Sequence, residues 1–280
     1  MLMKLRKYIL GILFFFAAAV GYCQQGGGNA PQGDWLAGIN AHAVQKPSKA
    51  GAFAPAKSGF ALYYSRAGNI DQPYLVYVPK GYDPGRKTPV VVFLHGAILA
   101  RDSFRYRDPT IAGEPVFSVA DMYKTVVVFP FGEAGFMWPG TVAANENIIE
   151  IIEQVKGRYN TDDRQVYIGG ISMGGIATYW FMKHKPNYFS GFYTFSSTPS
   201  LSLEKGVLDV ISQVKPLYSM NAKDDAVFSY ENAARDYELQ MHAVKGWYFS
   251  SVPTGGHRFI YGKDGSGYVQ RLLGHLLMKQ

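Results

Sequence analysis

The sequence predicts an α/β fold, a mostly parallel central sheet with helices on both faces. Three observations predict it. Continuous apolar runs at 90–94 and 125–129 have the character of strands buried on both sides, as the strands of a parallel sheet are. Between such runs lie stretches with helical spacing, and strands alternating with helices form a parallel sheet because each crossover returns over a face. The third observation is residues 164–180. There a β-branched and aromatic run meets Gly169-Gly170, then Ile171-Ser172-Met173-Gly174-Gly175, then an apolar segment long enough for a helix.

The N-terminus lies outside this fold. Lys4, Arg6 and Lys7 precede an apolar run at 8–20 and then small residues. This is the layout of a signal peptide over 1–23, too short for a membrane span, so the chain is expected to be exported, periplasmic or extracellular. Cleavage is expected after Gly21 or after Cys23. Cys23 also fits lipoprotein anchoring, but bulky Tyr22 stands where such signals carry a small residue, which weighs against it. Cys23 is the one cysteine in the chain, so the mature fold is expected to have no disulfide and no cysteine nucleophile or cysteine metal cluster. Without the three basic residues the net charge falls from +7 to +4 (7 − 3), and no Lys/Arg run remains to suggest a nucleic-acid partner.

Residues 24–58 are rich in Gly, Ala, Pro, Gln and Lys and read as a flexible linker, with local order at Trp35-Leu36. The folded domain is expected over 59–280, a length that one large core can serve. Its first strands, 60–65 and 74–78, form a hairpin through Gly68-Asn69. Further strands are expected at 90–94, 125–129, 165–168, 192–195, 217–220 and 247–252. Ile148, Ile151, Ile152 and Val155 recur at i, i+3, i+4 and i+7, which gives a helix over about 145–156 one apolar face. Other helices are expected at 174–183, 230–244 and 267–278. Residues 101–121, broken by Pro109, Gly113 and Pro115, and the aromatic 131–140 read as irregular. No insertion after Phe195 is long enough for a large lid.

Gly170-x-Ser172-x-Gly174, between a strand and a helix, is the pattern of a nucleophile elbow. The bare pentapeptide is a weak signal, and its context gives it weight. The glycines two before and two after the serine let strand and helix backbones approach where a Cβ would clash. A serine hydroxyl is a poor nucleophile at neutral pH and needs a base, which in turn needs an orienting acid. Of six histidines, His42 is in the linker and His184, His242 and His275 fall on helices. His257 follows the last strand in Pro253-Thr254-Gly255-Gly256-His257, where the order serine, acid, histidine places the base. The acid belongs after the strand at 217–220, where Asp224 and Asp225 compete. Asp224 stands three before Val227 and fits a G-x-x-D-x-x-V turn with Asn221 in the glycine place. Asp225 keeps another frame, with Phe228 in the valine place, and the turn pattern favours Asp224. An oxyanion needs two donors. The amide of Met173 after the nucleophile is one, and Ala97, in Leu94-His95-Gly96-Ala97-Ile98, is the other. His95 is expected to hold that loop. Trp138 is expected to line the acyl or alcohol pocket.

On these residues the chain resembles the α/β-hydrolase superfamily, in the secreted esterase branch of polyhydroxybutyrate depolymerase-like, feruloyl esterase-like and esterase-D-like proteins. The matching residues are Leu94-His95-Gly96, the run from Arg158 to Gly175, the Asp224 turn and Gly255-Gly256-His257, within a resemblance covering about residues 60–280. It implies an α/β-hydrolase fold and a serine esterase working by Ser172, His257 and Asp224. Its substrate would be a small-molecule or polysaccharide-linked ester, with no metal or organic cofactor. Ala97-Ile98-Leu99 and Asn221 depart from the usual glycines and leave the substrate class open. A serine peptidase on the same fold, an acyltransferase, and a non-catalytic carbohydrate-binding protein fit parts of the same pattern. Oligomeric state is not encoded in any of these motifs.

Overall fold

The computed structural model describes residues 35–40, 53, 55–97, 102–138, 140–201, 215–240 and 246–278. The expected signal peptide, Cys23, His42, His242, most of the expected linker and the end of the helix expected at 230–244 lie outside the described residues.

Eight strands form one sheet: β1 (Gly59–Ala67), β2 (Ile70–Val78), β3 (Thr88–Leu94), β4 (Val126–Pro130), β5 (Thr161–Ile171), β6 (Gly191–Phe195), β7 (Leu217–Ala222) and β8 (Trp247–Val252). Their order across the sheet is β1-β2-β4-β3-β5-β6-β7-β8. The β1–β2 hairpin joins antiparallel to β4, and every pair from β4 to β8 is parallel. Parallel strands all end on one edge, so the loops after β3, β5, β7 and β8 meet there.

The helices are α1 (Trp35–Asn40), α2 (Ser118–Tyr123), α3 (Val142–Lys156), α4 (Met173–His184), α5 (Tyr230–Gln240) and α6 (Gly265–Leu277). Alternation along β3 shows how both faces are used. Val91 and Phe93 join the core under α1, α2 and α6, whereas Val90, Val92 and Leu94 join the core under α3 and α4. Ile148, Ile151, Ile152 and Val155 are fully buried in that second core, as their spacing predicts. Burying each contributes on the order of 2 kcal/mol relative to exposure.

Part of the stretch read as linker is packed on the domain. In α1, Leu36 and Ile39 are buried in the first core, the Trp35 ring meets Phe60 edge-on, and Trp35 Nε1 donates to the Arg107 carbonyl at 3.0 Å. The stretch read as irregular at 101–121 contains α2 and two 3-10 segments, Pro109–Gly113 and Pro115–Phe117. Ile111, Val116, Phe117, Val119 and Ala120 there are core residues.

One buried polar chain links the hairpin to α3. Ser65 Oγ donates to Asn147 Oδ1 at 2.9 Å and Asn147 Nδ2 to Gln72 Oε1 at 2.7 Å. Gln72 Nε2 then donates to the Phe131 carbonyl at 2.8 Å, which ties the hairpin to the start of the loop after β4.

Candidate active site

β5 ends at Ile171 and α4 begins at Met173, so Ser172 alone turns the chain from strand to helix. Its φ of 56° and ψ of −118° lie where non-glycine residues are rare, a conformation costing roughly 1–3 kcal/mol. The turn is held by Ser172 N donating to the Phe195 carbonyl at 3.0 Å and by Ile176 N donating to the Ser172 carbonyl at 2.9 Å. A Cβ at Gly170 or at Gly174 would overlap the carbonyl oxygen of Leu94. The glycine requirement therefore comes chiefly from the end of β3 and only secondarily from Gly170 meeting Gly174. The pinch brings the loop after β3 against the nucleophile, and a Cβ on Gly96 would stand 3.3 Å from Ser172 Cβ. Ala97 follows directly, and Met173, opening α4, presents an amide with no intrahelical acceptor.

The structure pairs His257 with Asp225, not with Asp224. His257 Nδ1 lies 2.9 Å from Asp225 Oδ2, and the Asp225 side chain is fully buried. A carboxylate only accepts, so Nδ1 carries the proton and Nε2 is the basic nitrogen. Asp225 Oδ1 accepts from Val227 N and Phe228 N, both at 2.8 Å. Phe228 packs edge-on against the imidazole, with ring centres 4.9 Å apart. Asp224 points the other way, to the exposed side of the turn. Its two oxygens accept from Gly255 N at 3.1 Å and Gly256 N at 2.8 Å. Ser172 Oγ and His257 Nε2 are both buried without a hydrogen-bond partner.

His95 is fully buried and supports the loop after β3. Gly132 N donates to Nε2 at 2.9 Å, which leaves Nδ1 to donate to the Gly96 carbonyl at 2.8 Å. Burial pushes its pKa down to about 4, so the ring is neutral at working pH. Trp138 is also fully buried, which corrects the expectation that it lines a substrate pocket. Its ring lies 4.8 Å from His95, and Nε1 donates to the His95 carbonyl at 3.0 Å. Both side chains hold the backbone that leads into Gly96 and Ala97.

No family model matches the sequence. The chain is 28% identical over 184 residues to the bifunctional acetylxylan esterase/xylanase XynS20E of Neocallimastix patriciarum, covering 64% of this chain. The chain spans 26% of that protein's length. Among solved structures it superposes on S-formylglutathione hydrolase (FrmB) from Staphylococcus aureus with a TM-score of 0.61 at 17% identity, covering 78% of this chain and 97% of that one. A ferulic acid esterase superposes with a TM-score of 0.59 at 19% identity, covering 79% and 98%. Acylaminoacyl peptidases share the architecture too. This is the α/β-hydrolase fold.

Within this fold the loop after β3 abuts the elbow at Gly96, and the loops after β7 and β8 are joined by the His257–Asp225 pair. Asn221, which stands in the place of a turn glycine, is fully buried at the end of β7 and donates from Nδ2 to the Ser197 carbonyl at 3.3 Å. His184 stacks on Trp180 and His275 on Tyr218, so both are packing residues of this fold. Among the described residues no group of three or more His, Cys, Asp or Glu side chains is arranged to hold a metal ion. Also among them, no helix is long and apolar enough to cross a membrane.

Proposed function

We propose that this protein is a carboxylic ester hydrolase working through an acyl-enzyme, with Ser172 as nucleophile, His257 as base and Asp225 as orienting acid. The observation that carries this is the His257–Asp225 pair. A buried carboxylate fixes the imidazole tautomer, leaving Nε2 unpartnered as Ser172 Oγ is, with the serine on a strained elbow. In the first step Ser172 Oγ attacks the ester carbonyl while His257 Nε2 takes its proton. The amides of Met173 and Ala97 stabilise the oxyanion, and such donors are each worth about 3 kcal/mol in comparable sites. Collapse expels the alcohol, which takes the proton from His257. Water, deprotonated by the same nitrogen, then releases the acid and restores Ser172.

The likeness to an acetylxylan esterase/xylanase and to a ferulic acid esterase supports an ester borne by a small molecule or a polysaccharide. Amide cleavage uses the same constellation, so an amide belongs among the substrates compared. We also propose that residues 1–23 direct export, which N-terminal sequencing of protein recovered outside the cytoplasm tests.

The decisive experiment compares the mature protein with Ser172→Ala on p-nitrophenyl acetate, p-nitrophenyl butyrate, methyl ferulate and acetylated xylan, with an aminoacyl p-nitroanilide beside them. Ester turnover in the wild type is expected to fall at least about 10³-fold in the variant. Equal inactivity of the two folded proteins on every ester would overturn the proposal.

A further inference from the structure

We infer that Asp224 is a positioning residue for His257, its carboxylate fastening the glycine turn on which the base is carried. The inference rests on the hydrolase reading above and deepens it.

The turn has two anchored ends and an unsupported middle. Val252 at the end of β8 is buried, and Phe259 and Ile260, just after His257, are buried in the core. Between them, Pro253, Thr254 and Gly255 are exposed, so packing does not hold this stretch. Gly255 and Gly256 have φ of 122° and 61°, conformations open to glycine and costly to other residues. Gly255 also lacks room for a side chain, since a Cβ there would stand 2.7 Å from Phe259 Cβ. Glycines that permit this path also lose the most entropy in being fixed on it.

Asp224 supplies the fixing contact. Its carboxylate takes one amide on each oxygen, Gly256 on Oδ1 at 2.8 Å and Gly255 on Oδ2 at 3.1 Å. Hydrogen bonds to an ionised acceptor are roughly twice as strong as neutral ones. Consistent with that, the two amides, Gly256 first, hold the Asp224 carboxyl below its ordinary range. The next residue, Asp225, takes His257 Nδ1 on Oδ2 and is itself fixed within the loop after β7 by the amides of Val227 and Phe228 on Oδ1. Two consecutive carboxylates thus bear on one residue, the outer through the amides of the two glycines before it and the inner through its ring. A change of about 1 Å in where the ring sits can cost up to about 10²-fold in rate, which is the lever Asp224 has.

The test separates this inference from the hydrolase reading by using a fluorophosphonate probe, which reports nucleophile activation at Ser172 without depending on any ester. Labelling rates, ester kcat and KM, and Tm are measured for wild type, Asp224→Ala, Asp224→Asn, His257→Ala and the His257→Ala/Asp224→Ala double variant. Asp224→Ala is expected to slow labelling and kcat about tenfold, with KM and Tm little changed. Asp224→Asn keeps an acceptor oxygen and is expected to recover part of that loss. In the His257→Ala background, removing Asp224 is expected to change labelling no further, because its effect passes through the histidine. Wild-type labelling by Asp224→Ala, or an equal slowing in both backgrounds, would overturn the inference while leaving the hydrolase reading intact. Failure of the wild type to label at Ser172 would overturn both.

Discussion

The Asp225 carboxylate accepts three hydrogen bonds, two from backbone amides and one from His257 Nδ1. The first two fix its direction and the third fixes the ring. Asp225→Asn keeps the volume but offers the ring an amide in place of a carboxylate, which favours the wrong tautomer. Ester kcat is expected to fall by about 10³–10⁴-fold with the fold intact, measured as kcat against Tm. Choosing between the two aspartates needed information the local pattern does not contain. The pattern anchors the turn on an apolar residue three after the acid. Val227 is 46% exposed and Phe228 only 5%, so the true anchor is one residue later and the frame moves with it. The elbow position of Ser172, the pairing of His257 with an aspartate after β7 and the supporting place of His95 were legible because each is tied to a glycine turn or a strand end. Trp138 was misread because a large aromatic in a loop fits a pocket wall and a packing strut equally well in sequence.

At the scale of elements, strands buried on both faces were legible as apolar runs, whereas short or polar-edged elements were not. β5 begins at Thr161, four residues before the apolar run, through Asp162-Asp163-Arg164. Asp162 accepts from Arg164 N at 3.0 Å and Gln165 Nε2 at 3.1 Å, a local arrangement with no period-two signature. Helices α1 and α2, at six residues each, are too short for helical periodicity to emerge. The polar chain through Asn147 was hidden as well, because its members lie on three elements. Asn147→Ala would strip Ser65 and Gln72 of buried partners and is expected to destabilise the fold by about 1–3 kcal/mol in denaturant melts. Ile151→Ala, one turn further along α3, is expected to cost about 2–5 kcal/mol by leaving a cavity. Both substitutions lie away from Ser172, so ester kcat of the folded fraction is expected to hold.

For the whole molecule, two buried groups set opposing dependences of stability on pH. Burial lowers His95 from its ordinary 6.5 to about 4. Between those values the unfolded chain binds the extra proton, so stability rises with pH and is lost as pH falls from 6.5. Glu114, between the two 3-10 segments and beside Tyr261, is raised by burial from 4.5 to about 7. There the folded chain holds the extra proton, so stability falls as pH rises through that window. The two windows overlap from about 4.5 to about 6.5. There the two groups oppose each other, so wild-type stability is expected to vary less with pH than either group alone would make it. Glu114→Gln is expected to expose the rise and His95→Gln the fall, read from urea midpoints at each pH. The order of the strands carries a further consequence. Ser172 follows β5, whereas His257 follows β8, which among the described residues is an edge strand paired only with β7 and the last strand in sequence. A ribosome therefore finishes Ser172 well before His257, and the proposed nucleophile and base can act together only once β8 has joined the sheet. On the proposed mechanism, ester turnover is expected only from chains whose sheet has taken up β8, which would make activity a timestamp for completed folding.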